Sequence, residues 1–379
     1  MRPSIGALTM AAVLLATLPL PPNAELPMRL QVGILGFAHG HVNAYCTQWA
    51  QYPEHAIQVV AAWDHDPARL ANNAAAFELQ PYAALDEFLA HPGLQAVVIG
   101  SETALHAEHV ERAAAAGKAI ALQKPIALTL DEADRIVAAV ERHGVPFTMA
   151  WQMRVDPQNI AIKERIADGT LGRIFMVRRR HGLPAQLWDI KRMWHFDPAL
   201  NRDIWADDSA HPIDLIHWLL GVPESVMAEL SSNYRPDVPN ANGVALFRYA
   251  DGLIAEVSCS FSCLAAENTT EVIGERGSLV QNYGDVPSCN VPRPPDAVGL
   301  KWYLGDTKEW TYSDIPTPPT HGARIAGLAG PLADFFHGRR APIAGAQEGR
   351  TSLRMTLACY VSSQAGERVR IDDPRIQAV

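Results

Sequence analysis

The chain has 379 residues, of which 48% are hydrophobic, and it carries a formal net charge of -9. That length is sufficient for two domains with ordinary hydrophobic cores. The acidic balance argues against a nucleic-acid-binding protein, because a phosphate backbone attracts basic surfaces. The one notable basic run is Arg178-Arg179-Arg180, which we interpret as the end of a strand.

The N-terminal segment and the cysteines bear on the compartment. Residues 1–24 contain an apolar stretch that resembles a secretory leader but is too short to span a membrane and lacks a good cleavage site or twin arginines. Residues 1–27 are therefore read as a leader-like or mis-assigned N-terminal extension. The five cysteines are scattered without Cys-x-x-Cys spacing. We expect a cytoplasmic protein with no metal and no membrane partner, or an exported, periplasmic one if the leader is genuine.

From residue 28 to residue 150, apolar strand-like runs alternate with helices, a pattern that predicts a parallel sheet covered on both faces. Strands are predicted over residues 30–35, 57–63, 96–99, 119–122 and 145–149. Helix ends are marked by Asp66 before Pro67, by Gly117, and by a capping box from Thr129 to Glu132. A helix is expected to begin near Ala104. This part is predicted to be a Rossmann dinucleotide-binding domain.

Beyond residue 150 the pattern changes to strands joined by hairpin turns. Residues 244–249 and 253–259 flank Asp251-Gly252, and residues 270–273 and 278–281 flank a turn at 275–277. Helices are predicted over residues 158–168, 213–220 and 349–365, and a proline-rich loop over 286–295. The expected fold class is α/β, with a second α+β domain over residues 151–379 built on a large, mainly antiparallel open sheet.

A glycine-containing turn follows the first predicted strand, where a Rossmann fold places its Gly-x-Gly-x-x-Gly motif. The match is partial, because Ala38 replaces the second glycine and His41 occupies the position of the third. A generic strand-to-helix turn remains open as an alternative. The predicted cofactor contacts in this turn are Gly36, Phe37, Ala38, His39, Gly40 and His41.

Asp64 ends the second predicted strand, where a carboxylate can accept both ribose hydroxyls of an adenosine. Its charge would repel a 2′-phosphate, and His65 follows it in place of an arginine. NAD is therefore predicted as the cofactor over NADP, with Arg69 as the main argument for caution. A turn or cap role for Asp64 is the alternative.

Two further motifs supply candidate catalytic residues. Gln123-Lys124-Pro125 places a lysine at the carboxyl edge of the sheet, where such folds bind ligands. Residues 207–214 are expected to start a helix on which His211 is flanked by Asp207 and Asp214, an arrangement suited to proton transfer. Each motif alone also fits a strand end with a proline stop or a solvated helix face.

These motifs together resemble the glucose-fructose oxidoreductase, inositol dehydrogenase and MocA family over residues 28–372. Its Thr-Pro-x-x-x-His, Ala-Gly-Lys and Glu-Lys-Pro segments are matched by residues 101–106, 116–118 and 123–125, and its Asp-x-Gly-x-His-x-x-Asp segment by residues 207–214. Gln123, Glu102 and Ser209 depart from the family's glutamate, proline and glycine. Losing the glutamate removes a negative charge beside Lys124.

The resemblance implies a catalytic set of Lys124, Asp207 and His211, and it adds Ser101, Glu102, His106 and Lys124 to the expected cofactor contacts. It implies oxidation of a secondary hydroxyl on a sugar or polyol, or reduction of a ketone. His211 would be the general base, Lys124 would stabilise the alkoxide, and Asp207 would orient the imidazole or bind a hydroxyl. Related proteins use the open sheet to form dimers or tetramers, so a homodimer or homotetramer is expected.

Substrate contacts are expected from the second domain, whose tryptophans can stack on sugar rings but can equally pack a loop or an interface. For Asp214 a structural role is the favoured interpretation. The predicted substrate contacts are Trp151, Arg154, Trp188, Trp205, Asp208 and Asp214. Two alternatives stay open: NAD-dependent glycoside hydrolysis through transient oxidation and elimination, and non-catalytic ligand binding.

Overall fold

The computed structural model describes residues 29–265, 267–282 and 297–379. The predicted N-terminal extension and the predicted loop at 286–295 lie outside the described residues.

The first part of the chain forms a six-stranded parallel sheet in the order β3-β2-β1-β4-β5-β6, which is the Rossmann order. Its strands are β1 Leu30–Leu35, β2 Ile57–Trp63, β3 Gln80–Tyr82, β4 Ala96–Ile99, β5 Ala119–Leu122 and β6 Phe147–Met149. The helices are α1 His41–Gln51, α2 Pro67–Phe77, α3 Leu85–Leu89, α4 His106–Ala115 and α5 Leu130–His143. All four residues of β4 are buried, because both faces of the sheet are covered.

The predicted parallel sheet is confirmed, with differences at several element ends. A 3-10 turn, Thr103–Leu105, precedes α4, so this helix starts two residues later than the sequence suggested. The capping box of Thr129 and Glu132 is present at the start of α5. The short elements β3 and α3 were not predicted, since neither has the length of a recognisable periodic run.

The second part forms a nine-stranded sheet in the order β14-β13-β12-β11-β7-β10-β9-β8-β15. Its strands are β7 Ile174–Gly182, β8 Ser225–Ser231, β9 Asn242–Arg248, β10 Ile254–Ser260, β11 Thr269–Gly274, β12 Gly277–Asn282, β13 Leu300–Leu304, β14 Glu309–Tyr312 and β15 Val369–Arg370. The helices are α6 Pro157–Ala167, α7 Pro198–Asn201, α8 Ile204–Asp208, α9 Ala210–Leu220, α10 His321–Ala326, α11 Ala329–Phe336 and α12 Ala346–Ala365. Neighbouring strands are antiparallel except β7 and β10, so the expected mainly antiparallel sheet is confirmed.

β7 lies at the centre of this sheet, between β10 and β11. The prediction that Arg178-Arg179-Arg180 ends a strand is wrong, because all three lie inside β7. Their side chains alternate between the two faces. Arg179 is fully buried and donates to Thr270, while the Arg178 side chain is half exposed.

The C-terminal third of the chain returns to the first sheet. The Met149 amide in the edge strand β6 donates to the Ala344 carbonyl over 2.9 Å, and the Ile343 amide donates to Thr148 Oγ1 over 2.9 Å. On α1, Trp49 Nε1 donates to the Ala329 carbonyl over 2.9 Å. These contacts attach the C-terminal segment to the edge of the first sheet and to α1.

Candidate active site

The glycine turn lies at the carboxyl end of β1, beside β4, where the strand order reverses. Gly36 has φ +88°, and a Cβ there would lie 2.7 Å from the Ser101 backbone, so a larger residue does not fit. α1 begins at His41 with no side-chain cap, which leaves N-terminal backbone N–H groups for an anion such as a pyrophosphate. These features fit NAD.

The Asp64 side chain is fully buried, and its carboxylate is already engaged. It accepts hydrogen bonds from the Phe37 and Asp66 amides, over 2.7 and 2.9 Å, and from Arg69 Nε and Nη2, over 2.7 and 2.8 Å. Arg69 Nη2 also lies 2.9 Å from Glu102 Oε1. Arg69, the residue that argued for caution, is thus held between the carboxylates of Asp64 and Glu102 at the edge where the ribose of the cofactor is predicted to bind.

The second motif does not begin a single helix. Asp207 and Asp208 end α8, and His211 is the second residue of α9, with Ser209 between the two helices. Asp207 and His211 therefore do not lie on one helix face as the spacing suggested. Asp214 is on α9, where it points to other protein groups.

Lys124 and His211 meet around two neighbouring aspartates. Lys124 Nζ donates to Asp207 Oδ1 over 2.9 Å and lies 3.9 Å from Asp208 Oδ1. His211 Nε2 lies 3.6 Å from Asp208 Oδ1, and His181 Nε2 lies 3.1 Å from Asp208 Oδ2. Asp207, which was predicted to orient the imidazole or bind a hydroxyl, thus contacts the lysine, while Asp208, a predicted substrate contact, is the neighbour of the imidazole.

Burial and charge set the protonation states in this cluster. Burial, assisted by the charge of Lys124, holds the pKa of His211 well below its usual range, although Asp208 acts in the opposite direction. Burial raises the pKa of Asp208, but the hydrogen bond from His181 and the charge of Lys124 outweigh it, and the pKa is lowered overall. At neutral pH, His211 is therefore a neutral base beside an ionised carboxylate.

One cavity of ≈450 Å³ contains both the nucleotide turn and this cluster. It is lined by predicted residues from each motif, namely His39, Gly40, His41, Lys124, Trp188, Asp207, Asp208 and His211. A larger cavity of ≈610 Å³ lies along β7 to β10 and includes none of these eight residues. We take the smaller cavity as the candidate active site because the reactive groups converge there.

Four predicted substrate contacts lie outside this cavity. Trp205 is fully buried and packs against Gly243, where a Cβ would lie 2.4 Å from the indole. Arg154 forms a bidentate pair with Asp214, both bonds being 2.8 Å, and also contacts Glu348. The side chains of Arg154, Trp205 and Asp214 thus contact protein groups, and their predicted role as substrate contacts stays a prediction.

Trp151 is the fourth of these residues, and it acts on the site indirectly. Its indole is 1% exposed and packs edge-to-face on the His211 ring, with centroids 5.6 Å apart. The contact supports the imidazole from the side of the core.

Three residues near the turn support the loops that carry the site. His106 is fully buried, with Nδ1 2.9 Å from the Pro125 carbonyl and Nε2 3.2 Å from the Ser101 carbonyl, so it joins the loops after β4 and β5. Ser101 Oγ bonds to a second buried histidine, His109. Gln123 donates to the Tyr45 hydroxyl over 2.9 Å, a bond that a carboxylate could only accept.

α10 and the loop before α7 add cavity residues that the motifs did not indicate. His321 and Ile325 come from α10, and His195 stacks on Trp194 with ring centroids 4.0 Å apart. Trp194 Nε1 donates to the Ala38 carbonyl over 2.9 Å, so this loop reaches the glycine turn. The tryptophan and histidine density of residues 188–195 was the only sequence signal, and α10 has none.

Neither a metal centre nor a membrane segment is found in the part of the chain that the structure describes. No group of three or more His, Cys, Asp or Glu side chains there could hold a metal ion. No helix within the same residues combines the length and apolarity needed to cross a bilayer.

The strand order, the glycine turn and the adjoining lysine and histidine define a nucleotide-dependent oxidoreductase. Residues 30–151 match the oxidoreductase family with an NAD-binding Rossmann fold, and residues 160–280 match the GFO/IDH/MocA C-terminal domain. The chain belongs to the GFO/IDH/MocA family, as the sequence motifs predicted, and it is an NAD-binding oxidoreductase.

Similar proteins include sugar and polyol enzymes. The 1,5-anhydro-D-fructose reductase of Ensifer adhaerens is 26% identical over 294 residues, covering 76% of this chain and 83% of that protein. The inositol 2-dehydrogenase of Ralstonia nicotianae is 28% identical over 262 residues, covering 66% and 73%.

Solved structures share the fold across almost the whole chain. A levoglucosan dehydrogenase in complex with NADH and levoglucosan superposes with a TM-score of 0.76 at 20% identity, covering 91% of this chain and 100% of that one. The WlbA dehydrogenase of Bordetella pertussis, in complex with NADH and UDP-GlcNAcA, gives 0.75 at 22% identity, covering 92% and 99%.

Proposed function

We propose that the chain oxidises a secondary hydroxyl of a sugar or polyol, or reduces the corresponding ketone, with NAD(H). The observation that carries the proposal is the convergence of Lys124, Asp208 and His211 with the glycine turn on one cavity. The similarity to a fructose-derivative reductase and an inositol dehydrogenase supports this substrate class. The nicotinamide ring, when bound, supplies or accepts the hydride.

Each residue of the cluster has a distinct role in this proposal. The neutral imidazole of His211 accepts the hydroxyl proton, and the Lys124 ammonium stabilises the negative charge that develops on oxygen. Asp207 holds Lys124 in place through the 2.9 Å contact. Asp208 stabilises the imidazolium that forms. In the reduction the same groups act in reverse, with His211 returning the proton.

We infer that NAD is preferred to NADP. Asp64 and Glu102 place two carboxylates around the single guanidinium of Arg69, so the cluster has an excess of negative charge where a 2′-phosphate would lie. Repulsion at this separation disfavours the additional phosphate. Of the predicted substrate contacts, Trp188 and Asp208 are retained.

We further propose a division at residue 150 into nucleotide-binding and substrate-binding domains, and a homodimer or homotetramer formed through the nine-stranded sheet. Met227, Val244 and Leu246 support the interface, since these apolar side chains are 36–41% exposed on β8 and β9. We retain the cytoplasm as the proposed compartment, because Cys46, Cys259, Cys263 and Cys359 are free thiols.

Binding and turnover test the proposal separately. Purified protein is titrated with NAD and NADP by tryptophan fluorescence, and NADH formation is then followed with a panel of sugars and polyols. Lys124→Met and His211→Asn should retain NAD binding and lose turnover. Protein that binds neither nucleotide would refute the redox proposal. The comparisons favour neither glycoside hydrolysis nor simple ligand binding, and net NADH formation from a free sugar separates the proposal from both.

A further inference from the structure

Arg324 on α10 is a buried cation without a hydrogen-bond or ion-pair partner in the part of the chain that the structure describes. The residue is 5% exposed, and its Nε and Nη1 atoms are buried without a hydrogen-bond acceptor. Within the described residues, the hydrogen bonds and ion pairs include none from its guanidinium. By contrast, the buried Arg154 has two carboxylate partners, Asp214 and Glu348.

An unpaired guanidinium in such a place requires an explanation. Removing a charged group from water is costly unless an opposite charge or a set of hydrogen bonds replaces the water. Buried arginines are for this reason nearly always paired. A group left unpaired beside a binding cavity is compensated when the ligand brings the missing anion.

Arg324 lies next to the wall of the candidate active site, although it is not itself a lining residue. Its helix neighbours Gly322 and Ile325 both line the ≈450 Å³ cavity. Its charge also acts on His41, His181 and His211, contributing with their burial to the lowered pKa of each imidazole. His41 and His211 line this cavity, whereas His181 lines the larger one, so the guanidinium lies near both cavities.

The other charged groups around the cavity have partners of their own. Lys124 is paired with Asp207, and Asp208 accepts from His181 while it neighbours Lys124 and His211. The imidazoles of His39 and His41 have pKa values lowered by burial and are neutral at pH 7. With the imidazoles neutral, Asp207 and Asp208 exceed Lys124 by one negative charge, but neither carboxylate forms an ion pair with Arg324, so its guanidinium has no counter-ion in direct contact among the described residues.

We propose that Arg324 binds an anionic group, a carboxylate or a phosphate, carried by the sugar or polyol substrate. The inference rests on the proposed oxidoreductase function and narrows its substrate class to acidic sugars and sugar phosphates. The α1 N-terminus and the glycine turn already provide for the cofactor's pyrophosphate. The charge of Arg324 also acts on His211, so the guanidinium lies near the proposed general base.

The test compares anionic and neutral ligands on the NADH-bound full chain by calorimetry. The probes are D-glucuronate, D-gluconate and D-glucose 6-phosphate against D-glucose and myo-inositol. We expect at least one anionic probe to bind ~10-fold more tightly than its neutral counterpart. Arg324→Met should weaken that binding by ~30-fold, the effect of losing a buried charge-assisted hydrogen bond, and Arg324→Lys should restore part of it. Tighter binding of D-glucuronate or D-gluconate would indicate a carboxylate as the anionic group of the substrate, and tighter binding of D-glucose 6-phosphate would indicate a phosphate.

Arg339→Met is the matched control, because it removes one cation from a half-exposed side chain paired with Asp334. It should leave all affinities unchanged. Without ligand, Arg324→Met should melt at or above the temperature of the unmodified protein, since an uncompensated buried charge is removed. A lower melting temperature would show a structural role and overturn the proposal.

Two further results would overturn it. One is that Arg324→Met weakens NADH binding as much as it weakens binding of the anionic probe. That result would assign the Arg324 cation to the cofactor. The other is that unmodified protein binds NADH normally but binds anionic and neutral probes equally well. That result would overturn the role of Arg324 without contradicting the proposed oxidoreductase function. Failure of the unmodified protein to bind NADH would instead refute the proposed function itself.

Discussion

Replacing Asp208 with asparagine removes a carboxylate while keeping the shape of the side chain. Its Oδ1 atom lies 3.6 Å from His211 Nε2 and 3.9 Å from Lys124 Nζ. The negative charge stabilises the protonated imidazole that forms when the substrate hydroxyl loses its proton. The substitution should therefore lower the pKa of His211 further and make it a weaker base.

The distance sets the scale of the effect. A pair of unit charges 3.6 Å apart contributes ~4.5 kcal/mol at an effective dielectric constant of about 20. Part of this is lost because Lys124 and His181 share the same carboxylate. About 2–3 kcal/mol should remain, which corresponds to a ~30- to 150-fold decrease in kcat.

Initial rates of NADH formation across the pH range test this expectation. Asp208→Asn should decrease kcat by the stated factor and shift the acidic limb of the pH profile to lower pH. Asp306→Asn is the control, because that carboxylate is 81% exposed and far from the cavity residues in the chain. A variant with kcat within about threefold of the unmodified enzyme and an unshifted acidic limb would refute a role for Asp208 in stabilising the imidazolium.

Three other substitutions give clear expectations. Glu102→Gln removes one of the two carboxylates at Arg69, so the ratio of NADP to NAD affinity should rise by ~10-fold in fluorescence titrations; an unchanged ratio would contradict the proposed cofactor preference. Burial lowers the pKa of His106 to about 4 in the folded chain, whereas the pKa of an unfolded histidine is about 6.5. The free energy of unfolding should therefore decrease by up to ~3 kcal/mol as the pH falls from 6.5 towards 4. Urea unfolding at pH 7 and 5 should show a smaller pH dependence for His106→Gln than for the unmodified protein. Arg154→Met leaves the Asp214 carboxylate buried without its cation and should lower the free energy of unfolding by ~3–5 kcal/mol in the same assay. The double variant Arg154→Met/Asp214→Asn should recover part of that loss. Equal stability of the single variant and the unmodified protein would contradict this expectation.

Much of the first sheet could be predicted from the sequence, for physical reasons. Its inner strands are continuous apolar runs, and Asp66, Thr129 and Gly144 mark helix ends through local hydrogen bonds or a left-handed conformation. The edge strand β14 and its neighbour β13 were missed, because their largely half-exposed or exposed residues lack a clear apolar alternation.

The motif residues of the site were also found from the sequence, but their pairing was not. Which aspartate meets His211 depends on the break at Ser209 between α8 and α9, and local spacing does not encode that break. Similarly, the sequence did not predict that Arg69 lies between Asp64 and Glu102, because Glu102 comes from a separate segment of the chain. Long-range packing decided these features.

The return of the C-terminal segment to β6 has a consequence for how the chain acquires its structure. The nucleotide half leaves the ribosome first, yet the amides of Met149 and Ile343 find their partners only when residues 343 and 344 have been made. Until then one edge of the first sheet and the Trp49 indole lack their partners. Completion of the nucleotide-binding half thus waits for the end of translation, and a chain cut short near residue 340 should lose cofactor affinity as well as its last helix.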